Sequence, residues 1–448
     1  MIKNKTVYIL GAGISKADEV PIQSELLYQI FTLSPEDFNS NTSSFLQLKI
    51  NRSEQNVMKY FEAFDNQRKI LADFIINNFS TEIEKEKYNN KKTVVGSENF
   101  TVNDWNLIYS ISKDLNITME DLFTLFDKVI LGREHFRGYT TEMINEKQEA
   151  LKKCIIFLLA YKSAKISEIN NICSRFAKLI FNKRINSSYN DDLLTIITMN
   201  WDSILEKEIY RLCREYNNAG SKIKIYPDLC FYDYCFNKSD KRIISTHIKA
   251  KKNKNIKFLK LHGSINWLVC PNCKRIYVDY DEDIAIYELC YELSTERLCP
   301  ECIKEFIKDN DVPRMNSILI TPTFIKDLNI LQLKNIWHNA LIDISEASKI
   351  IIIGYSFPEA DFEMRYLLKK AINQKTEIEV ILHSSDNPLE YRKTLVSKKL
   401  SNDEIEKIIN KLDLPEKRYH SFFNKDKISI SYFGIEGYIK GEEKNEKK

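Results

Sequence analysis

The chain has 448 residues, 43% of them hydrophobic and 29% charged, with a formal net charge of +3. That composition fits a soluble globular protein with room for two or three folding units, and it excludes collagen-like, disordered and small disulfide-scaffold chains. So small a net charge gives no strong pull toward nucleic acid or membrane, so neither is expected as a direct partner.

The first element, Thr6 to Leu10 (TVYIL), is a short β-branched and aromatic run ending in Gly-Ala-Gly, the pattern of a buried parallel strand. The apolar run around it is far too short for a secretory signal, and no stretch approaches the roughly 18 apolar residues of a membrane span, which predicts a cytoplasmic protein. Pro21 sits at a tolerated first-turn position of a helix carrying Leu26, Leu27 and Ile30. From about residue 40 to 186 the pattern is almost wholly helical. Apolar residues recur at spacings of three and four, as in Tyr60-Phe61-Phe64 and Leu122-Phe123-Leu125-Phe126, which reads as core-facing stripes. The polar stretch Lys85 to Asn99 reads as a long loop between helices.

Strand–helix alternation resumes at Leu193 to Ile197, which leads into Thr198-Met199-Asn200-Trp201-Asp202 and a helix over Ile204 to Tyr216. Further strands are expected at Phe258 to Leu261, Ser317 to Ile320, Lys349 to Ile353 and Ile378 to Leu382, with a helix over Asp361 to Ile372 and a short strand pair around Ile428 to Phe433. Such alternation implies βαβ units and a mostly parallel sheet covered on both faces, with ligands bound beyond the carboxyl ends of its strands. Those ends read GAGIS, TMNWD, LHGS and GYSFPEAD, and four polar or glycine-rich ends predict one shared site.

Of the ten cysteines, Cys270, Cys273, Cys299 and Cys302 form two CxxC knuckles separated by 25 residues. Paired knuckles suit a closed tetrahedral Zn2+ site, and four thiolates leave no open position, so such a metal would be structural. The competing possibility is a degenerate site, or one in which Cys290 replaces a ligand. The other cysteines (Cys154, Cys173, Cys213, Cys230, Cys235, Cys290) read as buried, reduced thiols.

Gly11-Ala12-Gly13 between strand and helix could present backbone N–H groups to a pyrophosphate, or could be a plain tight turn; Lys16 stands where a dinucleotide fingerprint has its third glycine. His262, followed by Gly263, could act as a general base near neutral pH, with the glycine allowing a close approach of backbone to ligand. Asn200 and Asp202 either point together into the cleft as hydrogen-bonding groups or cap the following helix.

The ordered set GAG-x-S, T-x-N-x-D, HG and paired CxxC resembles the sirtuin family of NAD+-consuming proteins. The wording LHGSINWLVCPNC and IIIGYSFPEADFEMRYLLKKA is similar to its bacterial sirtuin-like branch, many of whose members are antiphage NADase effectors. The resemblance covers roughly residues 5–35 and 190–385. It implies an α/β fold with a Rossmann-like, mostly parallel sheet in a catalytic unit of residues 1–39 and 187–386. That unit would carry a helical insertion over 40–186, a zinc ribbon over 266–310 and a C-terminal extension over 387–448. It implies Gly11, Ala12, Gly13 and Ser15 at the phosphates of NAD+, Pro21 over the ribose, Asn200 and Asp202 at the nicotinamide end, His262 as catalytic base, and Gly354 and Ser356 on the ribose and adenine side. Cys270, Cys273, Cys299 and Cys302 match the family's zinc ligands, across a gap longer than usual.

Two departures bear on the reaction. Deacylases of the family follow GAG-x-S with Gly-Ile-Pro-x-Phe-Arg, where this chain has Glu19-Val20-Pro21-Ile22-Gln23-Ser24. Their peptide-pairing Phe-Gly-Glu segment corresponds to Leu319 to Phe324, which lacks it. The resemblance therefore favours an NAD+ glycohydrolase releasing nicotinamide and ADP-ribose, with an NAD+-dependent protein deacylase and a non-enzymatic NAD+ or ADP-ribose sensor as alternatives. An NADase needs a trigger, so a homo-oligomer and a separate defence partner such as a translocase ATPase are further expectations.

Overall fold

A computed structural model describes residues 5–34, 54–95, 117–166, 171–187, 193–229, 254–280, 283–289, 298–306, 314–320, 330–397, 401–412 and 414–445, with a few positions between 105 and 113. Its centre is a seven-stranded sheet of β1 (Thr6–Leu10), β2 (Leu194–Thr198), β3 (Ile225–Asp228), β4 (Lys254–Lys260), β8 (Lys349–Ile353), β9 (Glu377–Ile381) and β10 (Ile428–Ser431). The order is β10-β9-β8-β1-β2-β4-β3, and every pairing is parallel. β1, β2 and β8 are buried along almost their whole length, as their unbroken β-branched and apolar runs require of strands covered on both faces.

Side chains alternate across this sheet and define its two coverings. On one side, Tyr8 packs edge-on against Phe176 of the helix Ile172–Asn186 and against Tyr438 of the helix Gly434–Asn445. On the other, Lys5, Thr195 and Lys257 reach Asp343 of the helix Leu331–Glu346. The mostly parallel α/β architecture expected from the sequence is therefore observed.

A second, antiparallel sheet holds β5 (Gly263–Val269), β6 (Ile276–Val278) and β7 (Asn316–Leu319), in the order β6-β5-β7. The strand expected at Ser317 to Ile320 thus exists but belongs to this small sheet. The anticipated strand pair near Ile428 is a single strand, β10, paired in parallel with β9 at the edge of the main sheet. Lys85 to Asn99 is also corrected: a helix runs from Glu82 to Val95, and residues 96–99 lie outside the described residues. Glu and Lys propagate a helix without any apolar stripe, Thr81 and Glu84 close its first turn with reciprocal hydrogen bonds, and Tyr88 anchors it to Asp73 at 2.8 Å. Helices Glu54–Phe79, Met119–Gly132 and Thr141–Ala164 pack through the predicted stripes, with Phe64 stacked on Phe157 at 4.5 Å.

Candidate active site

β8, β1, β2 and β4 are neighbours and run the same way, so the four strand ends singled out in the sequence open on one edge of the sheet. The chain leaves β1 toward β2 on one side, while β8 flanks β1 on the other, which makes the β1/β8 boundary the switch point where such sheets bind ligands. The turns interlock there through glycines. A Cβ on Gly11 would lie 2.5 Å from the Gly354 oxygen, and one on Gly13 would lie 2.7 Å from the Gly354 Cα. Gly354 itself has φ +62° and leaves a Cβ only 2.6 Å from the Ile14 nitrogen. Close backbone packing thus accounts for all three. Gly11 N–H donates to Ile353 O at 3.0 Å and Gly13 N–H to Gly354 O at 2.9 Å. Two of the three amides expected to cradle a phosphate are therefore already used, and Ala12 supplies the remaining one.

Asn200, Ser15 and Asp202 form one buried chain of hydrogen bonds. Asn200 Nδ2 donates to Gly11 O at 3.1 Å and to Ser15 Oγ at 3.2 Å, and Ser15 Oγ donates to Asp202 Oδ2 at 2.8 Å. A carbonyl only accepts, so Gly11 fixes which end of the Asn200 amide is nitrogen. Asn200 Oδ1 is then a buried acceptor with no partner among the described residues. Asp202 Oδ1 accepts from Ile204 N at 3.3 Å, so the capping and cleft readings of Asp202 are both realised, one on each oxygen. Burial, opposed by Lys260, raises the Asp202 carboxyl above its ordinary range.

Beneath this chain lies an ion pair with no counterpart in the sequence reading. Lys260, the last residue of β4, reaches Glu206 at 2.7 Å and also donates to the Asp202 backbone carbonyl. The two side chains are 0% and 3% exposed. Ser264 Oγ donates to the other Glu206 oxygen at 3.0 Å. This pair ties the end of β4, the TMNWD turn and the start of β5 into one unit.

His262 follows β4, and its backbone is pinned: Ile320 N donates to His262 O at 2.9 Å, and Trp337 Nε1 to Leu261 O at 3.1 Å. The His262 side chain is 7% exposed, and its Nε2 lies 3.4 Å from Asp361 Oδ1. Gly263 has φ +79°, and a Cβ there would lie 2.0 Å from Ile318 O. The backbone that this glycine admits is that of β7, not that of a ligand as the sequence suggested. Asp361 closes the GYSFPEAD strand end expected at the site, but the sequence assigns its side chain no role beyond the start of a helix. Pro21 is buried two residues before the helix Gln23–Thr32, outside the Asn200 hydrogen-bond chain. Ser356 is exposed, and its carbonyl is held by Arg418 at 2.9 Å.

The four predicted metal ligands come together. Their Sγ atoms all lie within 4.8 Å of one another, with Cys270 and Cys302 at 3.7 Å and Cys273 and Cys299 at 3.7 Å. A tetrahedral zinc with bonds of about 2.3 Å sets its thiolates about 3.8 Å apart, so the donor set fits. Cys273 N–H, 3.4 Å from Cys270 Sγ, and the Tyr277 hydroxyl, 3.0 Å from Cys299 Sγ, supply the outer hydrogen bonds that such thiolates use.

No protein-family model matches the sequence, and no curated protein matches it. The shape is similar to solved structures of Sir2 proteins. A Sir2 homologue in complex with NAD is 11% identical, with a TM-score of 0.34 over 99% of this chain and 91% of that one. A Sir2–p53 peptide–NAD+ complex is 13% identical, with a TM-score of 0.33 over 99% and 94%. Sir2 bound to an acetylated peptide is 12% identical, with a TM-score of 0.32 over 99% and 94%. Among the described residues no helix is long and apolar enough to cross a membrane.

Proposed function

We propose that this chain is an NAD+ glycohydrolase that cleaves the nicotinamide N-glycosidic bond, with the four strand ends as its active site. The observation that carries this reading is the buried Asn200 Oδ1, which has no partner among the described residues and is held by Gly11 and Ser15 beside the end of β1. Leaving such an acceptor without a partner costs about 1–3 kcal/mol, a cost that a donating hydroxyl or water in the site removes. The motif order supplies the substrate class, since the same Asn and His fall where sirtuins act on NAD+.

In the reaction, the bond between ribose C1′ and the pyridinium nitrogen breaks, and its electron pair leaves with neutral nicotinamide. A water oxygen bonds to C1′, and the water's proton passes to His262 and then to solvent. Asn200 Oδ1 accepts from that water or from a ribose hydroxyl, and Ser15 with Asp202 keeps the amide in place. Proton transfer by His262 contributes about 10²–10⁴-fold. A zinc held by Cys270, Cys273, Cys299 and Cys302 would brace the β5–β6 turn, and its four thiolates would leave no open position for this chemistry. An antiphage role, self-assembly and a separate trigger protein extend the reading on the strength of the sequence resemblance alone.

The test is to follow NAD+ by chromatography with the purified protein, alone and with phage-infected lysate. Nicotinamide and ADP-ribose are expected in equal amounts, and His262→Ala or Asn200→Ala should lower the rate by about 10²-fold or more. Transfer of an acetyl group from a peptide to ADP-ribose would identify a deacylase instead. Tight NAD+ binding without turnover under both conditions would identify a sensor.

A further inference from the structure

Asp361 stands at the N-terminal boundary of the helix Phe362–Ala371, where an aspartate ordinarily caps the first turn. Here it makes no side-chain cap hydrogen bond. Its side chain is turned into the protein and is 3% exposed, with Tyr355 OH donating to Oδ2 at 2.6 Å and His262 Nε2 3.4 Å from Oδ1. Asp361 follows β8 and His262 follows β4, and the ends of β1 and β2 lie between those strands. Strands are about 4.8 Å apart, so the contact arches over three strand spacings and spans the edge where Gly11, Ser15 and Asn200 converge.

We propose that Asp361 is the positioning residue of His262, fixing the imidazole across the site and sustaining its basicity without itself taking the proton. This inference rests on the reading of His262 as the base of the reaction. An ionised carboxylate beside an imidazole favours the imidazolium that forms when the base takes a proton, and it fixes the tautomer and the ring plane. Tyr355 holds the carboxylate in turn, and its own backbone carbonyl accepts from the buried Tyr419 OH at 2.7 Å. Among the described residues, the charged groups acting on this cluster include Arg365 on the same helix, Glu120 on the helix Met119–Gly132 and Arg418 on the helix Pro415–Phe422. Glu120 feels both Asp361 and Arg418. Asp361 is the carboxylate of this set in contact with the imidazole.

The test uses the full chain with labelled histidine and reads the titration of the His262 ring by NMR, the signal being assigned by its loss in His262→Ala. Asp361→Asn should lower the His262 midpoint by about one pH unit, because the charge favouring the imidazolium is gone. The acid limb of kcat/KM should move down with it, and kcat should fall at least about tenfold with KM little changed. Added to His262→Ala, the same substitution should cost no further activity, because the two residues act as one unit. Tyr355→Phe keeps the carboxylate and removes a hydrogen bond that stabilises its charge, so the His262 midpoint should rise by a few tenths of a unit; this variant decides the matter if Asp361→Asn does not fold. An unmoved midpoint in the variant that folds, or a further tenfold loss when Asp361→Asn is added to His262→Ala, overturns the proposal. A wild-type protein releasing no nicotinamide would overturn the glycohydrolase reading alone, while the NMR midpoint would still decide the coupling.

Discussion

Replacing Lys260 with methionine tests whether the ion pair beneath the site is a structural keystone. The pair is 2.7 Å long and its side chains are 0% and 3% exposed. At an effective dielectric of about 20, two unit charges at that distance attract by about 6 kcal/mol. Burying each ion costs several kcal/mol, so the intact pair comes out near balance, whereas removing one partner strands the other and costs about 3–5 kcal/mol. Lys260→Met should therefore destabilise by that amount. Glu206→Gln introduced into Lys260→Met removes the stranded charge and still accepts from Ser264, so the double variant should recover at least about 2 kcal/mol. What it cannot recover is the bond to the Asp202 carbonyl, worth about 1–2 kcal/mol.

The pH dependence has a defined sign. Burial raises the Glu206 carboxyl in the folded protein, against the pull of Lys260. A raised carboxyl contributes stability below its unfolded value of about 4.3, and that contribution is lost as pH rises through the folded value. Without Lys260 the carboxyl rises further, so the deficit of Lys260→Met should be small near pH 4 and grow toward pH 8. Urea unfolding followed by far-UV circular dichroism at several pH values measures this through the midpoint at constant slope. A single variant within about 0.5 kcal/mol of wild type at pH 8, or a double variant no more stable than the single, would refute the reasoning.

Gly354→Ala should lower stability by at least about 2 kcal/mol, since its Cβ meets the Ile14 nitrogen at 2.6 Å from a backbone at φ +62°. Gly441→Ala, in the helix Gly434–Asn445 with none of the described residues within 4 Å of the new Cβ, should instead stabilise by up to about 1 kcal/mol, so thermal unfolding of the two should move in opposite directions. Elemental analysis should find one zinc per chain, with Cys273→Ser, the least buried of the four ligands, binding substantially less and unfolding at lower urea. Wild-type protein that is folded and free of zinc would exclude the metal.

Much of the frame was readable because local composition and tertiary role coincide. Thr6–Leu10 and Lys349–Ile353 are short apolar runs that end in glycine, and a central parallel strand demands that pattern whichever neighbours it has. The four thiols were readable because a knuckle fixes its ligands within four residues. Which sheet a strand joins is another matter. Nothing in Ser317–Ile320 distinguishes an outer strand of the main sheet from the partner of β5, because that choice is made by Gly263, more than fifty residues earlier, whose missing Cβ lets Ile318 approach. The helix Glu82–Val95 escaped because an apolar stripe was taken as the mark of a helix, and a highly charged helix held by one capping box and one tyrosine carries none.

The site divides along the same line. Asn200, Ser15 and His262 sit at strand ends, and parallel strands place their ends on one edge whatever the side chains do, so that shared edge follows from topology. Asp361, Lys260 and Glu206 matter through where their side chains turn, which sequence position does not set. An aspartate before a helix reads as a cap, and a lysine ending a strand reads as solvated. In both cases a stronger partner overrides the local preference. Tyr355 and His262 draw the Asp361 carboxylate away from its own helix, and Glu206 with the Asp202 carbonyl holds Lys260 inside. Asp361 and Lys260 each forgo an ordinary local interaction, and both do so at the strand ends that form the candidate site. Lys260 reaches Asn200 through the Asp202 carbonyl and Ser15, and Asp361 reaches His262 directly, so both departures bear on residues of the candidate site.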